Sequence, residues 1–163
     1  MLTFKQFITE KTIPGVFIGV ELSEKSENEV WAFIEDQKIP NPIAKEEIHV
    51  TLIYSKKEFS RDEWGDSGII IKEIATPLKF DYLGKENKCL VMLLESQYLI
   101  DRNYEITNNY GAISDYPKYT PHITLSYDCP NYQPNFSKFP SIIELISENA
   151  TSLDDDWTSK KGK

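Results

Sequence analysis

Two stretches decide how this chain is read. They are Ile48-His49-Val50-Thr51-Leu52-Ile53-Tyr54 and Pro121-His122-Ile123-Thr124-Leu125-Ser126-Tyr127. Both spell His-x-Thr-Leu-x-Tyr, and together they use the only two histidines of a 163-residue sequence. Each stretch is rich enough in β-branched and aromatic residues to be a strand. In a strand, residues two apart point to one face. His49 therefore shares a face with Thr51, and His122 shares one with Thr124. Val50, Leu52, Ile123 and Leu125 turn the other way, into a core. Two such strands laid side by side about a pseudo-twofold gather two imidazoles and two hydroxyls around one cleft.

That set of groups suits phosphodiester chemistry. Histidine titrates near 6.5, so near neutral pH one imidazole can be neutral and the other protonated. The neutral one takes a proton from a nucleophilic hydroxyl, and the protonated one gives a proton to the leaving oxygen. Each such role is worth roughly 10² to 10⁴ in rate. The threonine hydroxyls are donors for the charge that develops on the phosphate oxygens. The pattern calls for no metal and no cofactor, and the sequence shows no clustered ligand set.

Outward from the motifs, the chain alternates strands and helices. Gly15 to Leu22 reads as a strand. Ser23 caps a helix with a stripe at Val30, Trp31, Phe33 and Ile34, which Pro40 and Pro42 stop. Ser55 to Gly68 reads as a charged surface loop. Ile69 to Ile74 and Leu78 to Leu83 read as two strands broken at Pro77. A turn over Gly84–Asn87 leads to a strand from Cys89 to Leu94. Tyr98 to Tyr110 is a helix closed by Gly111. His122 to Tyr127 and Ile142 to Leu153 complete the strands. Trp31 is read as helix core and Trp64 as loop packing. Three segments follow: a leader or docking helix at 1–13 with Phe4, Phe7 and Ile8 at helical spacing, one domain over 14–153, and a polar tail at 154–163. In each half a strand, a helix and a histidine-led strand follow one another, which suggests an internal duplication.

Composition narrows the partners. Lys and Arg number 18 against 26 Asp and Glu, a net charge of −8. Such a chain lacks the basic face of a duplex nucleic-acid binder. No stretch reaches the roughly 18 apolar residues of a membrane helix. Cys89 and Cys129 are too few for a disulfide framework or a four-ligand zinc site. Oligomeric state is not legible in the sequence.

The doubled motif resembles that of the two-histidine phosphoesterases, whose signature is a pair of His-x-Thr/Ser motifs. That resemblance implies an α+β, bilobal fold, with two pseudo-twofold-related antiparallel sheets and flanking helices around a central cleft. Longer stretches, Ile39-Pro40-Asn41-Pro42, His49 to Ser55 and Tyr116 to Asp128, are similar to the anti-CBASS phosphodiesterases of tailed phages. Met1 to Glu10 is similar to leader segments on T-even-type phage proteins, some of which direct packaging into the virion and are cut after Glu. The resemblance implies metal-independent hydrolysis of 3′–5′ linkages in cyclic di- or trinucleotides, in the cytoplasm of an infected bacterium. One histidine activates the ribose 2′-hydroxyl and the other protonates the 5′-oxygen, in an order the sequence leaves open. It also implies substrate contacts from Phe17, Tyr116, Lys118, Glu148 and Trp157, the last as a lid. Competing readings are a 2′,3′-cyclic phosphodiesterase of RNA or tRNA ends, and a non-catalytic nucleotide sponge or internal capsid protein.

Overall fold

The β-branched run Val16–Leu22 forms β1, and Ser23 ends it. The Ser23 hydroxyl accepts the Ser26 N–H at 3.1 Å and so caps α1, Glu24–Asp36. The computed structural model describes residues 15–116, 118–129 and 131–153. The expected leader, the tail and its Trp157 lie outside them. The remaining elements are β2 (Val50–Ser55), β3 (Ile69–Leu83), β4 (Cys89–Glu95), α2 (Gln97–Tyr110), β5 (His122–Ser126) and β6 (Ile143–Ser152). Ser96 caps α2 as Ser23 caps α1, accepting the Leu99 N–H at 3.1 Å. Gly111 closes α2 at φ 66°, a left-handed position suited to glycine. Apart from β3, the order of these elements is the one expected.

The strands form one closed antiparallel ring in the order β1-β2-β5-β4-β3-β6. The two expected sheets, β6-β1-β2 and β5-β4-β3, are thus joined at two seams. At one seam β2 meets β5 through Val50 and Ile123. At the other, β3 and β6 pair over a longer stretch. Exchanging β1 with β4, β2 with β5 and β6 with β3 returns the same ring, so the duplication is structural. The correspondence runs residue by residue. Val20 pairs with Val50 and with Glu148; Met92 pairs with Ile123 and with Phe80. Glu148 and Phe80 are therefore equivalent positions.

One expectation fails in β3. Rather than two strands broken at Pro77, a single strand runs through it. Pro77 lies opposite Leu94, and the register slips between Pro77 and Lys79, leaving Leu78 as an extra residue. Proline lacks a ladder donor, and a bulge is where a strand tolerates that loss.

A single buried cluster holds the ring together. Ile18, Val20, Val50, Leu52, Leu90, Met92, Ile123, Leu125, Ile143 and Leu145 pack with Val30, Phe33 and Ile34 of α1 and Leu99 and Ile106 of α2. Trp31 is half-buried against this cluster. Trp64 is fully buried, although the segment around it is charged and exposed.

Candidate active site

His49 stands directly before β2, and His122 is the first residue of β5. Carrying the Val50–Ile123 register one residue each way sets His49 opposite Thr124 and Thr51 opposite His122. All four are half-buried, while Val50, Leu52, Ile123 and Leu125 between them are fully buried. The alternation expected of the motif is present, and the seam brings both copies together. The two imidazoles lie on a diagonal of the ladder, roughly 7–8 Å apart at the backbone, a span that suits one phosphate.

Both rings are held in the same way. The Nδ1–H of His49 donates to the Glu47 carbonyl at 2.7 Å, and that of His122 donates to the Thr120 carbonyl at 2.7 Å. A carbonyl only accepts, so each Nδ1 carries the proton and each Nε2 is left for chemistry. The His49 Nε2 lies 3.2 Å from the Thr51 hydroxyl. Burial pushes the His122 imidazole below its ordinary 6.5, a trend that its bond to Thr120 opposes.

The rest of the motif has a reason that simple alternation hides. Ile18 pairs with Ile53 and Gly19 with Thr51, so Leu52 is an extra residue in β2. Leu90 pairs with Ser126 and Val91 with Thr124, so Leu125 is its counterpart in β5. Both motifs therefore bulge at the residue after threonine. Each bulge sends two successive side chains into the core, Leu52 with Ile53 and Leu125 with Ser126, all buried. The next residue of β2, Tyr54, lies opposite Phe17 and so shares a face with the histidines, where strict alternation would send it behind; its counterpart Tyr127 follows directly after β5 and is 47% exposed. Tyr54 is missed when the motif is read with a period of two; the signal that finds it is the recurrence of tyrosine at the same offset.

The loops entering the motifs are tied across the seam. Ser126 of β5 donates its hydroxyl to the Pro40 and Asn41 carbonyls at 2.7 and 2.8 Å, and Ile43 N–H donates to Leu125 O. In the other direction, Ser55 of β2 accepts the Ile113 N–H at 3.0 Å, and Lys56 N–H donates to Ile113 O. The Tyr119 hydroxyl donates to the Thr51 carbonyl at 2.8 Å. Burial raises the Tyr119 phenol well above its ordinary value, so it stays a donor. Each motif strand thus anchors the loop that delivers the other histidine.

The expected substrate contacts divide. Phe17 is on the site face, its ring 5.6 Å from that of His49 at 73°, an edge-on contact. Gly19 makes room for it: a Cβ there would lie 2.9 Å from the Phe17 ring and 3.8 Å from the His49 ring. Tyr116 is exposed on the loop before β5, as is Lys118. Glu148 is a correction. It pairs with Val20, whose side chain is in the core, so it points away from the histidines. Its carboxylate is 1% exposed and accepts hydrogen bonds from Trp64 Nε1 at 2.9 Å, from the Tyr98 hydroxyl, and from Arg102 Nε and Nη2 at 2.9–3.1 Å. It is spent on structure. The β6 residues on the site face include Ser147, opposite Glu21, Asn149, opposite Gly19, and Thr151, opposite Phe17. The Thr151 hydroxyl is buried with no partner among the described residues. Among those residues no group of three His, Cys, Asp or Glu is placed to hold a metal ion.

Comparison with known proteins points one way. Residues 14–160 match the family described as anti-CBASS protein Acb1. A protein of that name from Yersinia phage phiR1-RT is 30% identical over 96% of this chain and 97% of its own. Another, from Enterobacteria phage T4, is 31% identical over 78% of each chain. Among solved structures, a phosphoesterase superposes with a TM-score of 0.57 at 14% identity, covering 85% of this chain and 88% of its own. E. coli LigT complexed with 3′-AMP superposes with a TM-score of 0.56 at 13% identity, covering 85% and 87%. At such identities these two establish the fold alone.

Proposed function

The chain belongs to the anti-CBASS Acb1 family, and from that premise we propose that His49 and His122 together cleave a 3′–5′ linkage of a cyclic di- or trinucleotide. The protein is a phosphodiesterase acting in phage evasion of CBASS defence within the infected cell. The observation that carries the catalytic reading is the matched pair of imidazoles, each fixed through Nδ1 and each flanked by a threonine across the seam.

In this reading His122 is the general base and His49 the general acid. Burial favours the neutral form of His122, and its ladder neighbour in β4 is apolar Leu93. His122 Nε2 takes the proton of the ribose 2′-hydroxyl, and the 2′-oxygen attacks phosphorus. The bond from phosphorus to the 5′-oxygen breaks, and His49 supplies that oxygen with a proton. A 2′,3′-cyclic phosphate results, and water opens it with the two roles exchanged. Thr51 and Thr124 donate to the non-bridging oxygens. Phe17, 9% exposed, braces the His49 ring beside the substrate, the exposed Tyr116 offers aromatic surface to the bases, Thr151 a buried hydroxyl, and Lys118 a charge for phosphate. Requiring a 2′-hydroxyl restricts cutting to RNA-type linkages. Trp157 as a lid, and delivery within the virion through Met1 to Glu10, rest on the resemblance alone.

The test is incubation with cyclic di- and trinucleotides in EDTA. Cleavage by the wild type, abolished in His49→Ala and in His122→Ala, is expected. Cleavage confined to 2′,3′-cyclic mononucleotides or RNA ends would replace the substrate. Tight binding with intact ligand recovered would make the protein a sponge.

A further inference from the structure

The face that carries the histidines continues onto strands that hold none. Across β5, β4 and β3 one row runs through three residues: His122 lies opposite Leu93, and Leu93 opposite Lys79. Phe80, the next residue of β3, packs on Phe33 in the core. Lys79 therefore points the other way, onto the face of the histidines. On the far side of the seam, carrying the Val20–Val50 register one residue further sets Glu21 beside His49, and Glu21 lies opposite Ser147. The internal twofold that relates Glu148 to Phe80 thus makes Lys79 the counterpart of Ser147, and Leu93 the counterpart of Glu21. The two motifs are alike, but their flanks are not. Beyond His122 the face is apolar and then cationic; beyond His49 it is acidic and then neutral.

We infer that Lys79 binds a second phosphate of the substrate, the one that the histidines do not cut. This rests on the phosphodiesterase reading above, and it adds a residue that separates cyclic oligonucleotides from ligands with a single phosphate. Three observations carry it. The first is distance. Neighbouring strands lie about 4.8 Å apart, so the Lys79 backbone stands roughly 10 Å from that of His122. The half-buried Leu93 occupies the strand between them and offers an apolar surface to the ribose that joins two phosphates. The second is availability. Lys79 is exposed and makes no ion pair among the described residues, whereas Lys25, Lys56 and Lys88 each hold a carboxylate at 2.8–3.2 Å. Asp81, next along the same face, is turned to the backbone, accepting the Tyr82 N–H at 2.8 Å. The third is the local field. The chain carries a net charge of −8, and the exposed Glu21 repels phosphate from the His49 flank, its carboxylate accepting only the Ser147 hydroxyl at 3.3 Å. Lys79 is the cation on the row of His122; Lys72, the other lysine of β3, lies beyond the row of His49, between the exposed Ile70 and Ile74. A lysine ammonium is a compact point charge on a flexible stem, suited to a phosphate held beside the reacting one.

Steady-state cleavage of a cyclic dinucleotide by the full chain tests this, with a mononucleoside 3′-phosphate as a competitive inhibitor that has one phosphate. Lys79→Ala is expected to raise KM about tenfold, the scale of one charge-assisted contact, and to change kcat less than about threefold. The inhibition constant of the mononucleotide is expected to stay within about twofold, and Lys79→Arg is expected to restore most of the lost affinity. Lys25→Ala, on α1, is expected to leave every constant unchanged. An unchanged KM in Lys79→Ala, with cyclic dinucleotide cleaved by the wild type, would overturn this inference alone. An equal loss of affinity for the mononucleotide would also overturn it, since Lys79 would then act at the scissile phosphate or on the fold. A wild type that leaves the cyclic dinucleotide intact would overturn the reading of the site along with it.

Discussion

Around Glu148 and around Phe80, two equivalent places in the ring are built from opposite materials. Phe80 packs on Phe33 with ring centroids 5.7 Å apart, and on Phe139 and Phe136 at 5.9 and 6.0 Å. Glu148 instead draws Trp64, Tyr98 and Arg102 onto one buried carboxylate. Arg102 is also bound by Glu63 and Glu105, each at 2.7 Å, and Tyr110 donates to Glu63 at 2.7 Å. The aromatic cluster fastens α1 to β3. The charged one fastens α2 and the segment holding Glu63 and Trp64 to β6. One is held by burial, which degrades gradually as volume is lost. The other is held by paired charges, whose desolvation is tolerable only while every partner remains. The motif strands beside them are alike in sequence, register and bulge, whereas these two supporting positions differ in chemistry.

Removing partners separates the two clusters. Arg102→Ala strands the buried Glu148 charge, and a loss of about 3–5 kcal/mol of unfolding free energy is expected in urea titrations. Glu148→Gln is milder, about 1–3 kcal/mol, because Arg102 keeps Glu63 and Glu105. At the aromatic end, Phe80→Ala is expected to cost about 2 kcal/mol, since Phe80 is only half-buried. Phe80→Leu should cost less than Phe80→Ala. If Arg102→Ala proved no worse than Phe80→Leu, the contrast between the clusters would be lost.

Smaller effects sharpen the comparison at the seam. Tyr119→Phe removes the donor to Thr51 O, and about 1 kcal/mol is expected in the same titrations. His122 titrates below 6.5 in the folded state, so the folded chain binds fewer protons than the unfolded one. Its contribution to stability is complete above pH 6.5 and is lost as pH falls through 6.5 toward the lower folded value. The urea midpoint should therefore fall more steeply with acidification in the wild type than in His122→Asn. Equal slopes would remove His122 as the source.

Much of this was legible in the chain, for reasons particular to each element. Ser23, Gly111 and the prolines at 40 and 42 act through local backbone chemistry, so the helices could be placed from them. The repeated His-x-Thr named the site because alternation is intrinsic to a strand. What escaped depended on pairing between distant segments. The bulges at Leu52 and Leu125 exist only in register with β1 and β4, and the first of them puts Tyr54 on the site face. The side to which Glu148 points follows from its pairing with Val20. The continuity of β3 through Pro77 depends on β4. The bond from Tyr119 to Thr51 joins residues 68 positions apart.

The central claim is that the two halves supply equal and separate proton-transfer groups. Its most direct test is the single-turnover rate of cyclic-oligonucleotide cleavage in EDTA for His49→Ala and His122→Ala, with folding checked by thermal melts. Each variant is predicted to lose roughly 10² to 10⁴ in rate while remaining folded. A folded variant of either kind that cleaves within a few-fold of the wild type would contradict the account.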